Sequence, residues 1–148
     1  LEAHLYAAFL EEPDLELPVV VALVSGGHTM LIEMLDHGEY RLLGRTSVDI
    51  IKTGGYKVSA LEIEEILRTH PAIAECAVVG VSDQDWGERV SAAVELRSGA
   101  SLSLDELQQW AKIQLAPYKV PRALQAVSEL PRNAMGKVVK PEVAGLFK

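Results

Sequence analysis

The chain is short of cysteine, of long apolar runs and of basic charge, and each shortage closes off a class of protein. Its one cysteine, Cys76, has no partner for an internal disulfide. It lies in the strand-like run Ala74-Glu75-Cys76-Ala77-Val78 and reads as a small buried hydrophobe of a reducing compartment. The longest apolar run, Val19 to Val24, is far short of the roughly 20 residues a membrane span needs. No basic segment followed by an apolar one opens the chain as a signal peptide would. These absences predict a cytoplasmic protein with no membrane partner. Lys and Arg number 14 against 21 Asp and Glu, for a formal charge of −7. Such a bulk field repels nucleic acid, so no nucleic-acid partner is expected. Internal repeats and low-complexity tracts are also missing, and so is a methionine at Leu1, which predicts an internal piece of a longer protein.

What is present is ordinary in amount and uneven in placement. With 148 residues, 49% of them hydrophobic and 24% charged, the chain suits one domain, or one domain with an appendage. Residues 1 to 46 hold two basic residues (Arg41, Arg45) and eight acidic ones, a net of −6, which leaves −1 for the remainder. The element pattern changes at the same place. His4 to Leu10 has helical character. Pro18 opens Val19 to Val24, whose continuous β-branched and apolar content predicts a buried strand. A glycine-rich turn, Ser25-Gly26-Gly27-His28-Thr29, leads to a second strand over Met30 to Leu35, and a third runs from Tyr40 to Leu43.

Beyond Val48 the pattern is α+β. Ile50-Ile51-Lys52 and Tyr56-Lys57-Val58 flank Thr53-Gly54-Gly55 as a small hairpin. Ser59 caps a helix over Ala60 to Thr69, with Glu62 at the capping-box position and Leu61, Ile63, Ile66 and Leu67 as most of the apolar face. Strands follow at about Ile73 to Val81 and Arg89 to Leu96. Ser103 caps a second helix, Leu104 to Leu115, in which Leu104, Leu107, Trp110 and Ile113 keep helical spacing. Ala123 to Val127 reads as a short strand, and Pro141 can open a last helix. The fold class is therefore α+β, with helices packed on a small sheet after a helix and β-meander.

The segment Leu130-Pro131-Arg132-Asn133-Ala134-Met135-Gly136-Lys137 carries the sharpest chemical signal. Proline fixes one dihedral and glycine lets the backbone reverse, so Lys137 is held at a protruding spot where an ammonium can meet a phosphate or carboxylate. The alternative is a solvated turn lysine. Lys140, one turn later, reads as solvated.

Gly44-Arg45-Thr46-Ser47-Val48-Asp49-Ile50-Ile51-Lys52-Thr53-Gly54-Gly55-Tyr56-Lys57-Val58, running into Ser59-Ala60-Leu61-Glu62-Ile63-Glu64, together with His70-Pro71, Val78-Val79-Gly80-Val81, Trp86-Gly87-Glu88 and the lysine turn, resembles the C-terminal domain of the adenylate-forming acyl-CoA synthetases. The Thr-Ser-Val-Asp-Ile-Ile-Lys-Thr-Gly-Gly-Tyr-Lys wording is similar to the malonyl- and methylmalonyl-CoA synthetase branch. The resemblance covers about residues 44 to 148. It implies that Lys137 bridges the substrate carboxylate and the α-phosphate of ATP, where positive charge stabilises the transition state. It also implies that Arg45 contacts the ribose beside an interdomain hinge near Ser47 to Asp49, where this chain carries one residue more than the commoner pattern. The Gly54-Gly55 loop would approach the pantetheine arm of CoA, with Lys52 and Lys57 assisting. Trp86-Gly87-Glu88 reads as structural. ATP/AMP, CoA and Mg are the implied cofactors of the intact synthetase. Its implied partners are an acyl substrate and an absent N-terminal adenylation domain, without which this chain is expected to be inactive.

Leu1-Glu2-Ala3-His4-Leu5 followed by Val21-Ala22-Leu23-Val24-Ser25-Gly26-Gly27-His28-Thr29 resembles a different family, the enzymes that form threonylcarbamoyladenosine in tRNA, which have an actin/Hsp70-like fold. This second resemblance covers residues 1 to about 46, and the two meet at Gly44-Arg45-Thr46, so the chain reads as a chimera. It implies a substrate-contacting hairpin at Leu23, Val24, Ser25, Gly26 and Gly27. It also places His4 as the second histidine of a metal-binding pair, four residues after a partner that lies off this chain. A lone histidine holds a metal poorly, so no metal is expected here. His37 and His70 are assigned no chemistry. A third possibility is non-catalytic: residues 1 to 46 could add strands or expose an edge that drives self-association.

Overall fold

Two long antiparallel strands form the spine of the larger part of the chain. In a computed structural model that describes residues 6, 9–10, 12–25, 28–45 and 49–148, the chain divides into two units, Leu1–Ser47 and Val48–Lys148. The spine of the second is β6 (Ile73–Asp83) and β7 (Gly87–Leu96), paired from Ile73↔Leu96 to Asp83↔Gly87. Asp83 closes the tip, its carboxylate accepting from the backbone N–H groups of Asp85 (3.0 Å) and Trp86 (3.1 Å), which is how a short acidic side chain imitates a turn. The other flank of β7 is shared. Strand β4 (Ile50–Thr53) meets it at Gly87, and β8 (Ala123–Val127) runs parallel along Ser91 to Glu95. The hairpin partner of β4 is β5 (Tyr56–Ser59).

Both faces of this sheet are covered, which is why β6 and β7 read as nearly unbroken apolar runs. On one face Cys76, Val78, Val90, Ala92 and Val94 pack with Ile63 and Leu67 of α1 (Ala60–Leu67) and with Leu107 and Ala111 of α2 (Leu104–Ala111). On the other, Ala77, Val79 and Ala93 pack with Leu130 and with Val143 of α3 (Lys140–Gly145), where Pro141 sits in the first turn as expected. In this unit the expected strands and helices are all found. Both longer helices stop early, at Leu67 and Ala111 rather than Thr69 and Leu115.

Three expectations about faces are corrected. Ile113 is 84% exposed rather than part of the α2 core stripe, because the helix has ended and the chain turns inward two residues later at Leu115. On α1 the buried set is Ala60, Ile63, Glu64 and Leu67, so a carboxylate lies in the stripe, and Leu61 and Ile66 are only partly buried. Ser59 caps α1 by accepting from the Glu62 N–H at 3.3 Å. The Glu62 carboxylate, however, is taken by Lys119, whose Nζ donates to its two oxygens at 2.6 and 2.8 Å. The full reciprocal box forms instead on α2, where Ser103 Oγ accepts from Glu106 N and Ser103 N donates to Glu106 Oε2.

In the first unit β1 (Val19–Ser25), β2 (His28–Asp36) and β3 (Glu39–Arg45) form an antiparallel meander in that order. Val19 to Val24 does not form the buried strand that its composition suggests. It alternates, with Val20 58% and Val24 76% exposed, because β1 is an edge strand whose side chains at 20, 22 and 24 have no covering layer among the described residues. The burial falls on β2 instead, at Ile32 and Met34. Of the expected helix at His4 to Leu10, only Tyr6, Phe9 and Leu10 are described, the last two in helical conformation. Tyr6 stacks on His37 (5.7 Å between ring centroids) and accepts from Gly38 N through its hydroxyl at 3.1 Å.

His70 at the end of α1 is buried edge-on against Trp110 (4.8 Å), and its Nδ1 accepts from Ala72 N at 3.1 Å. Burial pushes its pKa below the usual imidazole value, against a smaller opposing pull from Glu106. The folded state therefore prefers neutral His70, and the unfolded chain, with an ordinary pKa of about 6.5, takes up the proton first. Stability is unaffected well above that pH and falls as pH drops through it, until the lower folded pKa is passed. We expect the urea midpoint to be lower at pH 5.5 than at 7.5, and His70→Gln to shrink that difference. An undiminished difference in the variant would remove His70 as its cause.

Candidate functional site

Lys137 is presented by a small hairpin whose geometry is set by one asparagine. Asn133 opens the turn. Its carbonyl accepts from Gly136 N (2.8 Å), its side-chain Oδ1 accepts from both Met135 N and Lys137 N (3.0 Å each), and its own N–H donates to Lys137 O (2.9 Å). Gly136 takes φ +75°, a left-handed conformation that favours glycine there. Arg132 and Val138 form an antiparallel bridge below, Val139 N donates to Pro131 O (2.8 Å), and the Arg132 guanidinium donates to Gly136 O (2.9 Å). The backbone at Lys137 is thus fixed from several sides while its side chain is exposed, and among the described residues no carboxylate pairs with it. That combination of fixed base and free ammonium suits an anion brought from outside.

The Thr53-Gly54-Gly55-Tyr56 hairpin is a tight turn with both glycines at positive φ, +55° and +83°. The two have different neighbours. A Cβ at Gly54 would lie 2.9 Å from the Trp86 ring, and Gly54 N donates to Trp86 O (3.0 Å), whereas a Cβ at Gly55 would meet nothing within 4 Å. Gly54 is therefore explained by internal packing, and only Gly55 offers bare backbone to open space. The Trp86 ring is itself covered by the Arg122 guanidinium at 3.5 Å, a cation–π contact that makes it the anchor its sequence suggests. Tyr56 stacks on Tyr118 at 4.2 Å beside the hairpin. Lys52 and Lys57 are exposed on its two strands, and Lys52 N donates to Glu88 Oε2 (2.6 Å).

The remaining candidates are placed only in part. Leu23, Val24 and Ser25 end β1, with Ser25 paired to His28. Arg45 ends β3 opposite Met30. His4, Gly26, Gly27 and the hinge residues Ser47 and Val48 lie outside the described residues. Cys76 is buried, and burial pushes its thiol up to about 12, so it carries no nucleophilic thiolate near neutral pH. Among the described residues no group of three or more His, Cys, Asp or Glu could hold a metal ion.

Lys140, expected to be solvated, is not. Its side chain is 13% exposed, and Nζ lies 2.7 Å from Asp49 Oδ1 and 2.9 Å from Glu64 Oε1 as ion pairs outside hydrogen-bonding angles. Glu64, with a side chain only 4% exposed, also accepts from Val78 N at 2.8 Å and approaches Arg68 at 3.6 Å. The signal was present on α1. Ala60, Ile63, Glu64 and Leu67 share one helical face, and a carboxylate in an apolar stripe calls for a cation.

The AMP-binding enzyme C-terminal domain family matches residues 62–137. The human mitochondrial malonate–CoA ligase ACSF3 is 61% identical over 103 residues, covering 70% of this chain and 18% of that protein. A malonate–CoA ligase of Arabidopsis thaliana is 50% identical over 118 residues, covering 73% of this chain and 19% of its own length. Among solved structures, ATP-bound MatB from Rhodopseudomonas palustris superposes with a TM-score of 0.74 at 35% identity, covering 80% of this chain and 24% of that one. The chain thus spans less than a fifth of the length of these curated relatives, and it resembles the C-terminal domain of malonyl-CoA-ligase-type synthetases.

Proposed function

The chain belongs to the AMP-binding enzyme C-terminal domain family, and from that membership we propose that it acts as the mobile lobe of an ATP-dependent malonyl-CoA-type ligase. Lys137 is the adenylation lysine. A substrate carboxylate oxygen bonds to the α-phosphorus of ATP while the bond to pyrophosphate breaks, and the ammonium offsets charge gathering on the phosphate oxygens. In the second step the lobe turns about a hinge near Ser47 to Asp49 and presents the Gly54-Gly55 hairpin to the pantetheine arm, with Gly55 as the open backbone and Lys52 and Lys57 nearby. Arg45 contributes a ribose contact. The acyl pocket and most of the ATP contacts belong to an N-terminal domain outside this chain. The Mg implied for the intact synthetase is assigned to no residue of this chain.

The observation that carries this reading is the Lys137 side chain, exposed on a turn whose backbone Asn133 locks. The test mixes the chain with the adenylation domain of a malonate–CoA ligase cut before its own C-terminal domain, and follows AMP release from malonate, ATP and CoA. Neither piece alone is expected to turn over, and the mixture is. Turnover by the chain alone would overturn the proposal.

A second reading concerns Leu1–Ser47. The division of the chain at Ser47 and Val48, together with the Val21-Ala22-Leu23-Val24-Ser25-Gly26-Gly27-His28-Thr29 wording, supports a segment akin to the tRNA threonylcarbamoyladenosine-forming enzymes, joined near Arg45. The peptide from Tyr40 to Glu62 released by cleavage after glutamate crosses the junction. Its detection by mass spectrometry in source cells would support a fused product, and a peptide with different sequence before Gly44 would dismiss it.

A further inference from the structure

We propose that Lys140 is a positioning residue that ties the Lys137 turn to the rest of its domain. This inference rests on the adenylation role of Lys137. Lys140 follows the base of the turn directly, one residue after Val139, whose N–H donates to Pro131 O. Its side chain runs inward and meets two carboxylates from different parts of the fold, Asp49 just before β4 and Glu64 on α1. Each of the two residues is tied further. Asp49 accepts from Ala60 N through its carbonyl at 2.7 Å, which joins it to the first residue of α1, and Glu64 accepts from Val78 N in the centre of β6. One ammonium thus connects the turn to the edge hairpin, to α1 and to the central strand.

The electrostatics make this connection specific to a cation. Two nearly buried carboxylates on one ammonium repel each other once it is removed, and a neutral side chain cannot satisfy either. The pairs are also largely shielded from water, so salt screens them less than a surface pair. The turn's own hydrogen bonds fix its shape but not its place on the sheet. Placement comes from Val143 and Leu130 packing on Val79 and Ala93, from Glu95 of β7, which accepts from Leu130 N at 2.8 Å and lies 3.8 Å from the Arg132 guanidinium on the entering leg, and from Lys140 on the leaving leg. Moving the leaving leg would draw the ammonium away from two nearly buried carboxylates, a cost that apolar contacts alone do not impose. With Glu95 holding the entering leg, Lys140 holds the leaving one and so helps set where Lys137 is offered.

Amide hydrogen exchange of the full chain, read residue by residue by NMR, tests this. In K140M the amides of Lys137 and Val139 are expected to exchange at least about tenfold faster, while those of Val90 and Val94 in β7 keep their wild-type rates. K140R, which keeps the charge, is expected to restore slow exchange, and D49N to give a weaker version of the K140M pattern should K140M not fold. Unchanged rates at Lys137 and Val139, an equal acceleration everywhere, or failure of K140R to restore them would overturn the proposal. K137A leaves the Val139 amide rate alone while lowering AMP formation in the mixed assay by about 10²–10³-fold, so failure of the adenylation reading and failure of the positioning reading are seen separately.

Discussion

Lys137→Ala is expected to lower AMP formation by the mixed domains by about 10²–10³-fold, the usual cost of removing one aimed group that stabilises charge in the transition state. The same change should leave the chain's unfolding free energy within about 0.5 kcal/mol of wild type, since the side chain is exposed and makes no ion pair with a described residue. This separation is the force of the test. A residue that matters for the fold loses stability and activity together, and this one is predicted to lose activity alone. Lys137→Arg should not recover the rate, because a planar fork on a longer stem places its charge differently from a compact ammonium. Pyrophosphate release isolates the first step. A K137A mixture that releases pyrophosphate at the wild-type rate would remove Lys137 from the chemistry.

Gly54→Val is expected to cost about 3 kcal/mol or more, from two sources that act together. The first is conformational, since φ +55° is disfavoured for a side chain with Cβ and most of all for a β-branched one. The second is steric, since the new Cβ would sit 2.9 Å from Cε3 and Cζ3 of Trp86, a ring that Arg122 covers from another side at 3.5 Å and that cannot simply withdraw. For a unit of this size such a loss lowers the unfolding midpoint by roughly 12–20 °C. Gly55→Ala carries only the conformational part, about 1–2 kcal/mol, because open space surrounds its Cβ position at φ +83°. Thermal melts of the two variants decide the matter, and equal midpoints would contradict the packing account of Gly54. The contrast also indicates where to look for the thioester role. Gly55→Ala can retain the fold, so a selective loss of CoA transfer with adenylation intact would assign that role to the bare backbone of Gly55.

The element order from β4 to α3 was legible in the sequence because local signals agreed with one another. Ser59 and Ser103 mark the helix starts, the glycines at 54 and 55 specify the hairpin, and the apolar runs of β6 and β7 require cover on both faces. Lys137 was legible for the same reason, as proline, asparagine and glycine at fixed offsets define a turn. The signals that misled were apolar residues read without knowledge of their cover. Val19 to Val24 and the run in β6 look alike in composition, yet one is an edge strand with exposed valines and the other lies between two helical layers.

By itself the sequence determined the periodicities, the caps, the turns and the lysine they display, because those depend on residues a few positions apart. Only the tertiary structure decided which stripe is covered, why Gly54 must lack a side chain, and that Lys140 is enclosed by Asp49 and Glu64. Each of these rests on groups brought together from 76 to 91 residues away for Lys140 and from 32 residues away, at the tip of another hairpin, for Gly54. Burial and charge pairing are properties of that assembled neighbourhood, and no local window of sequence contains them.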